Sequence, residues 1–208
     1  MARGLLLLGL ALIMVSQTSS ANTAEEHDAL FRAGSEMLRP YIFLGDRQNA
    51  DPKSAEGRRK IAEGIRNLTR VTQMNPGNWP AFWMVGKGYQ AVGDHASAYA
   101  ALREAFRINP GQPDVAREFM LEAICIGQTD EAVSVAERAV QLRPQDAGLM
   151  ANLGFAFLAK GELERARVAT AKALEAAPQD RITQTLASEI SAVAEGRRQF
   201  SVARYCGQ

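Results

Sequence analysis

The sequence predicts an all-α fold built from a series of helix hairpins, and three observations lead to this prediction. A pattern of small and apolar residues recurs with a step of about 34 residues over residues 79–112, 113–146 and 147–180. A glycine stands at one fixed place in each unit, and a proline stands at another. These in-phase residues are Gly93, Gly127 and Gly161, and Pro110, Pro144 and Pro178.

Each repeated residue has a physical role in a hairpin. The glycine follows an apolar-periodic segment and can adopt the positive φ that ends a helix. The proline lacks a backbone donor and disfavours helix in the preceding residue, so it closes the second helix. Ala98 and Ala105, two turns apart on one face, let the paired helix approach closely, and their equivalents follow in the next units.

Taken together, this spacing resembles the tetratricopeptide repeat family, which has the same period. The positions that carry the resemblance are Gly86, Tyr89, Gly93, Asp94, Ala98, Leu102, Ala105 and Pro110, with their equivalents in the next two units. The resemblance implies a solenoid of stacked hairpins in a right-handed superhelix. It also implies a concave groove, lined by the first helix of each repeat, that binds other proteins.

The first 21 residues have the pattern of a secretory signal peptide. Arg3 precedes an apolar run over residues 4–15, which is too short for a membrane span, and Ser19 and Ala21 place small residues at a cleavage point. No cysteine follows the run, so we expect export without lipid attachment. The alternative is that the segment is kept as an uncleaved anchor.

Residues 22–78 are expected to form an atypical N-terminal helical unit. Apolar residues at helical spacing predict a first helix from about Ala24 to Arg39 and a second from Lys53 to Met74. Pro52 falls where the first helix of a regular repeat would need its packing glycine. The leading helix is therefore displaced from its regular position by the loop at residues 45–52.

After the third repeat, residues 181–208 are expected to cap the array. Ile182, Leu186 and Ile190 share one face of a helix over residues 181–194 that would cover the apolar side of the last hairpin. Residues 195–208 are expected to be loose. Cys206 lies in this tail and Cys125 in the second repeat, and either a disulfide or two unpaired thiols is consistent with the sequence.

The composition argues against several functions. The chain of 208 residues has 24 basic and 23 acidic side chains, so no overall field favours nucleic acid. Its two histidines, His27 and His95, lie in different regions, and we expect both to be exposed surface residues. Neither a phosphate loop, a nucleophile elbow, an HExxH motif nor a paired-cysteine motif is present. We therefore expect no catalytic residue, metal ligand or cofactor.

The resemblance to tetratricopeptide repeats assigns a set of residues to the inner face of the groove. The set is unusually apolar, which favours an amphipathic helix or an apolar peptide as the partner. Charged members such as Lys87 and Arg117 would fix its orientation. The predicted protein-binding residues are Trp83, Lys87, Gln90, Arg117, Glu118, Leu121, Ile124, Asn152, Phe155 and Leu158.

Some family members use a two-lysine, two-asparagine, one-arginine clamp to hold a C-terminal carboxylate. The matching positions here hold Trp83, Lys87, Glu118, Gly148 and Asn152, of which only Asn152 agrees. We do not expect a carboxylate clamp.

The predicted function is therefore that of an exported, non-catalytic adaptor or assembly factor. It would bind a peptide or helix of an envelope protein, in the periplasm if the source is bacterial, and otherwise outside the cell. The alternative is a self-associating structural module whose groove is filled by another copy of the chain.

Overall fold

The computed structural model describes residues 23–44 and 50–206, so the signal peptide predicted at residues 1–21 lies outside the described residues. The described part is all-helical. It contains α1 (23–38), α2 (Ala55–Met74), α3 (Trp79–Val92), α4 (His95–Ile108), α5 (Pro113–Cys125), α6 (Thr129–Leu142), α7 (Ala147–Lys160), α8 (Leu163–Ala176), α9 (Arg181–Ala194) and the short α10 (Ala203–Cys206).

The helices pair into hairpins that stack in chain order. Helices α3 and α4 pair, as do α5 and α6 and α7 and α8, and each hairpin packs on the next. The first helices also contact one another, α5 with α7 and α7 with α9. This arrangement confirms the predicted helix-hairpin solenoid. We call the surface formed by α3, α5, α7 and α9 the inner face.

The repeated glycines end the first helix of each hairpin as predicted. Gly93, Gly127 and Gly161 have φ values of 77°, 80° and 85°. At Gly93 the turn is closed by backbone hydrogen bonds, from Gly93 N to Gln90 O and from Asp94 N to Tyr89 O. The Asp94 carboxylate then accepts from Ser97 N at 3.0 Å, which starts α4. The sharp turn between the two helices therefore follows from two adjacent residues.

The repeated prolines lie two residues beyond the second helices. Helix α4 ends at Ile108, α6 at Leu142 and α8 at Ala176. In each case the residue before the proline has a φ near −135° to −138° and cannot continue the helix.

Small residues set how closely the paired helices approach. Ala98, Ala132 and Ala166 are fully buried, and so are Ala105 and Ala173. A Cβ added to Gly86 would lie 2.5 Å from Cγ of Leu102 on the paired helix, which is closer than atoms can pack. The close approach therefore depends on the absence of a side chain there.

The N-terminal unit is also a hairpin, although its loop is longer. Gly34 of α1 meets Gly64 and Leu68 of α2, and a Cβ at Gly34 would lie 2.7 Å from Leu68 Cγ. Ser54 caps α2 by accepting from Gly57 N, so α2 begins two residues after the predicted Lys53. Around this contact, Leu38, Ile61, Leu68 and Val71 form a core that joins α3.

The C-terminal end matches the prediction in its helix and differs from it in its tail. Helix α9 covers α8, with Ile190 buried. The prediction that Ile182 shares this covering role is wrong, because its side chain is 81% exposed. Gly196 then takes a φ of 69°, and the chain turns back toward the inner face. The prediction that residues 195–208 are loose is wrong for residues 197–206, which we call the tail, because this segment packs on the inner face. Within the described ranges, none of the helices is long and apolar enough to cross a membrane.

Candidate protein-binding face

The inner face contains an open pocket between α5, α7 and α9. Its volume is about 470 Å³, which is within the range of ligand sites. Four of the predicted binding residues line it: Arg117, Leu121, Asn152 and Phe155. Helix α9 and the tail supply the opposite wall, which the prediction did not include: Arg181, Ile182, Thr183, Thr185, Leu186, Glu189 and Tyr205.

Three other predicted residues form a polar network beside the pocket. Lys87 Nζ lies 3.2 Å from Glu118 Oε1, and both side chains are at least nine-tenths buried. Gln90 Nε2 donates to Glu118 Oε2 and to Glu122 Oε1, both at 2.9 Å. These side chains hold α3 against α5. Lys87 is therefore engaged within the protein and does not present its charge to a partner.

The network fixes the charge of Glu118. Burial opposes ionisation, but the charge of Lys87, the hydrogen bond from Gln90 and the charge of Arg117 outweigh it and lower the pKa of Glu118 below its ordinary value. Arg117 also contacts this carboxylate, at 3.0 Å. Glu118 is thus ionised at neutral pH.

Two predicted binding residues are not on the inner face. Ile124 and Leu158 are each 1% exposed and belong to the core between the hairpins. Ile124 lies three positions after Leu121, and Leu158 lies three positions after Phe155. Each side chain is therefore rotated by about 300° around the helix axis relative to that pocket residue. The rotation turns both side chains between the stacked helices, so their assignment to the groove was wrong.

Trp83 is also mainly a packing residue. It is partly buried and contacts both hydrophobic cores of the molecule, the one around Leu38 and the one around Phe119. Its position at the junction of the cores stabilises the stacking of α3.

The tail occupies the part of the inner face next to the pocket. The ring of Tyr205 lies 4.7 Å from the ring of Phe155, and Phe200 lies 6.0 Å from it. Tyr205 also donates a hydrogen bond to the carboxylate of Glu189, and Arg204 Nη1 lies 3.4 Å from the same carboxylate. Burial and this carboxylate raise the pKa of Tyr205 to about 12. One part of the groove is therefore filled by the chain itself.

A disulfide fixes the end of the tail to the second repeat. Cys125 and Cys206 are bonded, with a Cα–Cα distance of 5.6 Å, and 81 positions separate them in sequence. Of the two alternatives that the sequence leaves open, the structure has the disulfide. The bond crosses from α10 to the C-terminal end of α5.

His95 adds a second connection to the tail. The prediction that it is an exposed turn residue is wrong, since its side chain is only 20% exposed. Its Nδ1 lies 2.8 Å from Glu122 Oε2, and its Nε2 lies 2.8 Å from the carbonyl oxygen of Cys206. Both neighbours are acceptors, so the protonated imidazole can donate to both and the neutral one to only one.

This environment favours the charged form of His95. Partial burial disfavours the imidazolium, but the hydrogen bond and the charge of Glu122, the Cys206 carbonyl and Asp94 together raise the pKa of His95 above 6.5. When it is protonated, His95 also forms an ion pair with Glu122, the second buried carboxylate of the network.

One group of side chains has the composition of a metal site. His95, Glu122 and Cys125 offer ligand atoms that lie within 4.8 Å of one another. Because the Cys125 sulfur is bonded to Cys206, it cannot act as a thiolate ligand in this state. The histidine and the glutamate bind each other instead.

The side chains at the five positions that match the carboxylate clamp do not form a cluster of unpaired cations. Lys87 is paired with Glu118, which itself stands at a clamp position and would repel a carboxylate. This geometry agrees with the departure from the clamp pattern in the sequence.

The comparisons with known proteins agree with this architecture. A family described as tetratricopeptide repeat matches residues 127–190. The matched segment, residues 127–190, is a tetratricopeptide repeat. The match covers the third hairpin and most of its two neighbouring helices, and the same hairpin geometry extends over the earlier units. No curated protein matches the sequence significantly.

Solved structures share the fold of this protein. A crystal structure of MamA protein has a TM-score of 0.64 and 17% identity, covering 88% of each chain. Pseudomonas aeruginosa pilF has a TM-score of 0.58 and 16% identity, over 85% of this chain and 72% of that one. The first TPR of Spaghetti (RPAP3), bound to the HSP90 peptide SRMEEVD, has a TM-score of 0.51 and 19% identity, over 56% and 93%. The protein thus shares its helix-hairpin fold with these structures.

The contribution of the tail was missed in the sequence. The available signal was the spacing of two aromatic residues and a cysteine, Phe200, Tyr205 and Cys206, in a segment otherwise rich in polar residues. Large apolar side chains near a chain end are expected to be buried against something.

Proposed function

We propose that this protein is a non-catalytic adaptor that binds an amphipathic segment of a partner protein in the open pocket of the inner face. The observation that carries the proposal is the exposure of Ile182, which lines the pocket and is 81% exposed. An isoleucine left in water forfeits about 1.5–3 kcal/mol relative to a buried one. A partner that covers it recovers this free energy.

The lining of the pocket supports an apolar contact surface on that partner. Leu121, Phe155 and Leu186 lie beside Ile182, and together they present aliphatic and aromatic atoms. A volume of about 470 Å³ accommodates a few large side chains of a helix or an extended segment. The partner is therefore expected to contribute consecutive apolar side chains from one face.

The charges at the pocket support an acidic residue on the same segment. Glu189 is already engaged by Tyr205 and Arg204, and Arg117 shares its charge with Glu118 and Asp114. Among the described residues, Arg181 makes no ion pair and remains available at the pocket. An acidic side chain beside the apolar ones would pair with it.

We propose further that the protein works outside the reducing cytosol, as an assembly factor for an envelope or secreted protein. The Cys125–Cys206 disulfide supports this location, because such bonds persist in oxidising compartments. The signal pattern in the first 21 residues points the same way.

The proposal is tested by placing a photo-crosslinking amino acid at position 182 and, as a matched control, at position 168. Val168 is also an exposed β-branched residue, but it lies on α8, away from the pocket. We expect a crosslink to a distinct envelope protein from position 182 alone. Mass spectrometry of the adduct would then identify the bound segment.

A synthetic peptide of that segment gives the quantitative test. Ile182→Asp is expected to weaken its binding about ten-fold or more, and Val168→Asp to leave it unchanged. Crosslinks to a second copy from position 182 would instead support the self-associating module. Equal crosslinking from both positions would contradict a specific site.

A further inference from the structure

The tail contacts the inner face in the manner of a bound peptide. Its rings, those of Phe200 and Tyr205, stack on each other at 5.8 Å, and both contact Phe155. Its Arg204 and the hydroxyl of Tyr205 converge on the carboxylate of Glu189. Two aromatic side chains and one arginine therefore make most of its named side-chain contacts.

A disulfide bond and a hydrogen bond from a histidine also hold the tail in place. Helix α10 has only four residues, and a single turn is not stable by itself in water. Tyr205 remains 38% exposed even when docked. The disulfide to Cys125 and the hydrogen bond from His95 to the Cys206 carbonyl therefore account for retention of the tail.

Without the tail, the inner face would present groups that lack partners. The ring of Phe155 would lose both aromatic neighbours, and Glu189, now 8% exposed, would lose its donors Tyr205 and Arg204. Exposing the aromatic surface to water is unfavourable, whereas the carboxylate of Glu189 would exchange its two donors for water. A segment that supplies the same groups would restore these contacts.

We propose that the surface beneath the tail is a second docking surface, specific for a partner segment that carries two aromatic side chains and an arginine, and that the tail occupies it until the Cys125–Cys206 bond is reduced. The occupant is inferred from the chemistry of the tail itself. Phe155 and Glu189 also line the open pocket, but the named side-chain contacts of the tail are with these two residues and not with Ile182. The proposal goes beyond the function proposed above because it adds a second class of partner segment and makes access to it depend on the disulfide.

Reduction requires a dithiol reductant, which supplies two electrons and two protons. Its thiolate attacks one sulfur of the pair, and Cys125 is the more exposed residue of the two. A mixed disulfide forms as the S–S bond breaks, and the Cys206 sulfur leaves as a thiolate that takes up a proton. The second thiol of the reductant then displaces Cys125, which leaves two free thiols in the protein and a disulfide in the reductant.

The test uses the full chain with Cys125→Ser, Cys206→Ser, Phe200→Ala and Tyr205→Ala, which we call the unlatched variant. The probe is a fluorescent peptide of residues 197–206 with serine in place of the cysteine, RRQFSVARYS. We expect saturable binding to the unlatched variant by fluorescence anisotropy and no binding to the oxidised wild type. A control peptide with alanine at both aromatic positions is expected to have an affinity at least about ten-fold lower.

Two further measurements keep the outcome decisive. Phe155→Ala in the unlatched variant should abolish peptide binding, whereas Ile182→Asp should not change it. Wild-type protein reduced with dithiothreitol and capped with iodoacetamide should also bind the peptide more tightly than the oxidised protein. This second preparation replaces the unlatched variant if circular dichroism shows that the variant has lost helicity.

Equal binding of the aromatic peptide and its alanine control to folded, unlatched protein would overturn the proposal. Equal binding to oxidised and reduced wild type would overturn it as well. Sedimentation of the reduced wild type identifies the occupant. We expect the reduced protein to be a monomer. A dimer joined by exchanged tails would show that a second copy of the chain, and not a separate partner, occupies the surface. Because Ile182→Asp is neutral here, failure of this proposal is distinguishable from failure of the proposed function.

Discussion

The contacts between paired helices repeat along the chain, whereas the inner face does not. Ala98, Ala132 and Ala166 occupy equivalent places and are all fully buried. On the inner face, the equivalent residues Lys87, Leu121 and Phe155 differ in charge, size and role. The first forms a buried ion pair, the second lines the pocket and the third binds the tail.

This difference separates the requirements of stacking from those of binding. Each hairpin must meet the next at the same distance, so the packing positions need the same small residues. No such requirement applies to the inner face, where the residue type at each position depends on the contacts that its own side chain makes. Loss of the disulfide, a change in the repeated packing and a change of pH should therefore affect stability to decreasing extents.

The largest effect is expected from loss of the contact that does not repeat. Cys206→Ser removes a bond between residues 81 positions apart, and such bonds stabilise proteins by about 2–4 kcal/mol. Urea unfolding of the variant and of oxidised wild type measures the difference. Dithiothreitol should lower the stability of wild type and leave the variant unchanged. Equal stability of oxidised wild type and the variant would mean that the tail adds nothing to the array.

A smaller effect is expected from a change in the repeated packing. Gly86→Ala would place a Cβ 2.5 Å from Leu102 Cγ, and overpacking of this kind costs about 1–3 kcal/mol. Gly111→Ala is the matched control, because its Cβ would lie 3.7 Å from its nearest neighbour, Asn109 Oδ1. Chemical denaturation compares the two. Equal stabilities would show that the helices can separate without cost.

The smallest effect is expected from pH. The pKa of His95 is raised in the folded protein, so its contribution is complete below the unfolded value of 6.5 and is lost as the pH rises through the folded value. The neutral ring gives up one hydrogen bond, worth about 1 kcal/mol. The free energy of unfolding should therefore fall as the pH rises above 6.5, and His95→Gln should remove this dependence. An NMR titration that gives His95 a pKa at or below 6.5 would contradict the assignment.

The sequence was sufficient to predict the elements that depend on the conformational preferences of neighbouring residues. The glycine turns, the proline ends and helix α9 at Arg181–Ala194 were predicted at or near their observed positions. Each follows from the conformational limits of one or two residues. The repeat also supplied three aligned examples of every position, which made these local signals easy to separate from chance.

The binding face was predicted only in part. Leu121 and Phe155 line the pocket, but Ile124 and Leu158 turn into the core three residues later. All four are apolar residues on first helices. A helical pattern gives the spacing of apolar residues, and the direction of each side chain depends on the angle at which the next hairpin packs.

By itself, the sequence determined that this chain forms stacked helix hairpins, because the turn and packing residues act on their near neighbours. The tertiary structure alone decided that the tail returns to the inner face and joins Cys206 to Cys125. It also decided that His95, expected on the surface, meets Glu122 and the Cys206 carbonyl. These contacts join residues far apart in the chain, and they exist only once the stacked repeats have brought their surfaces together.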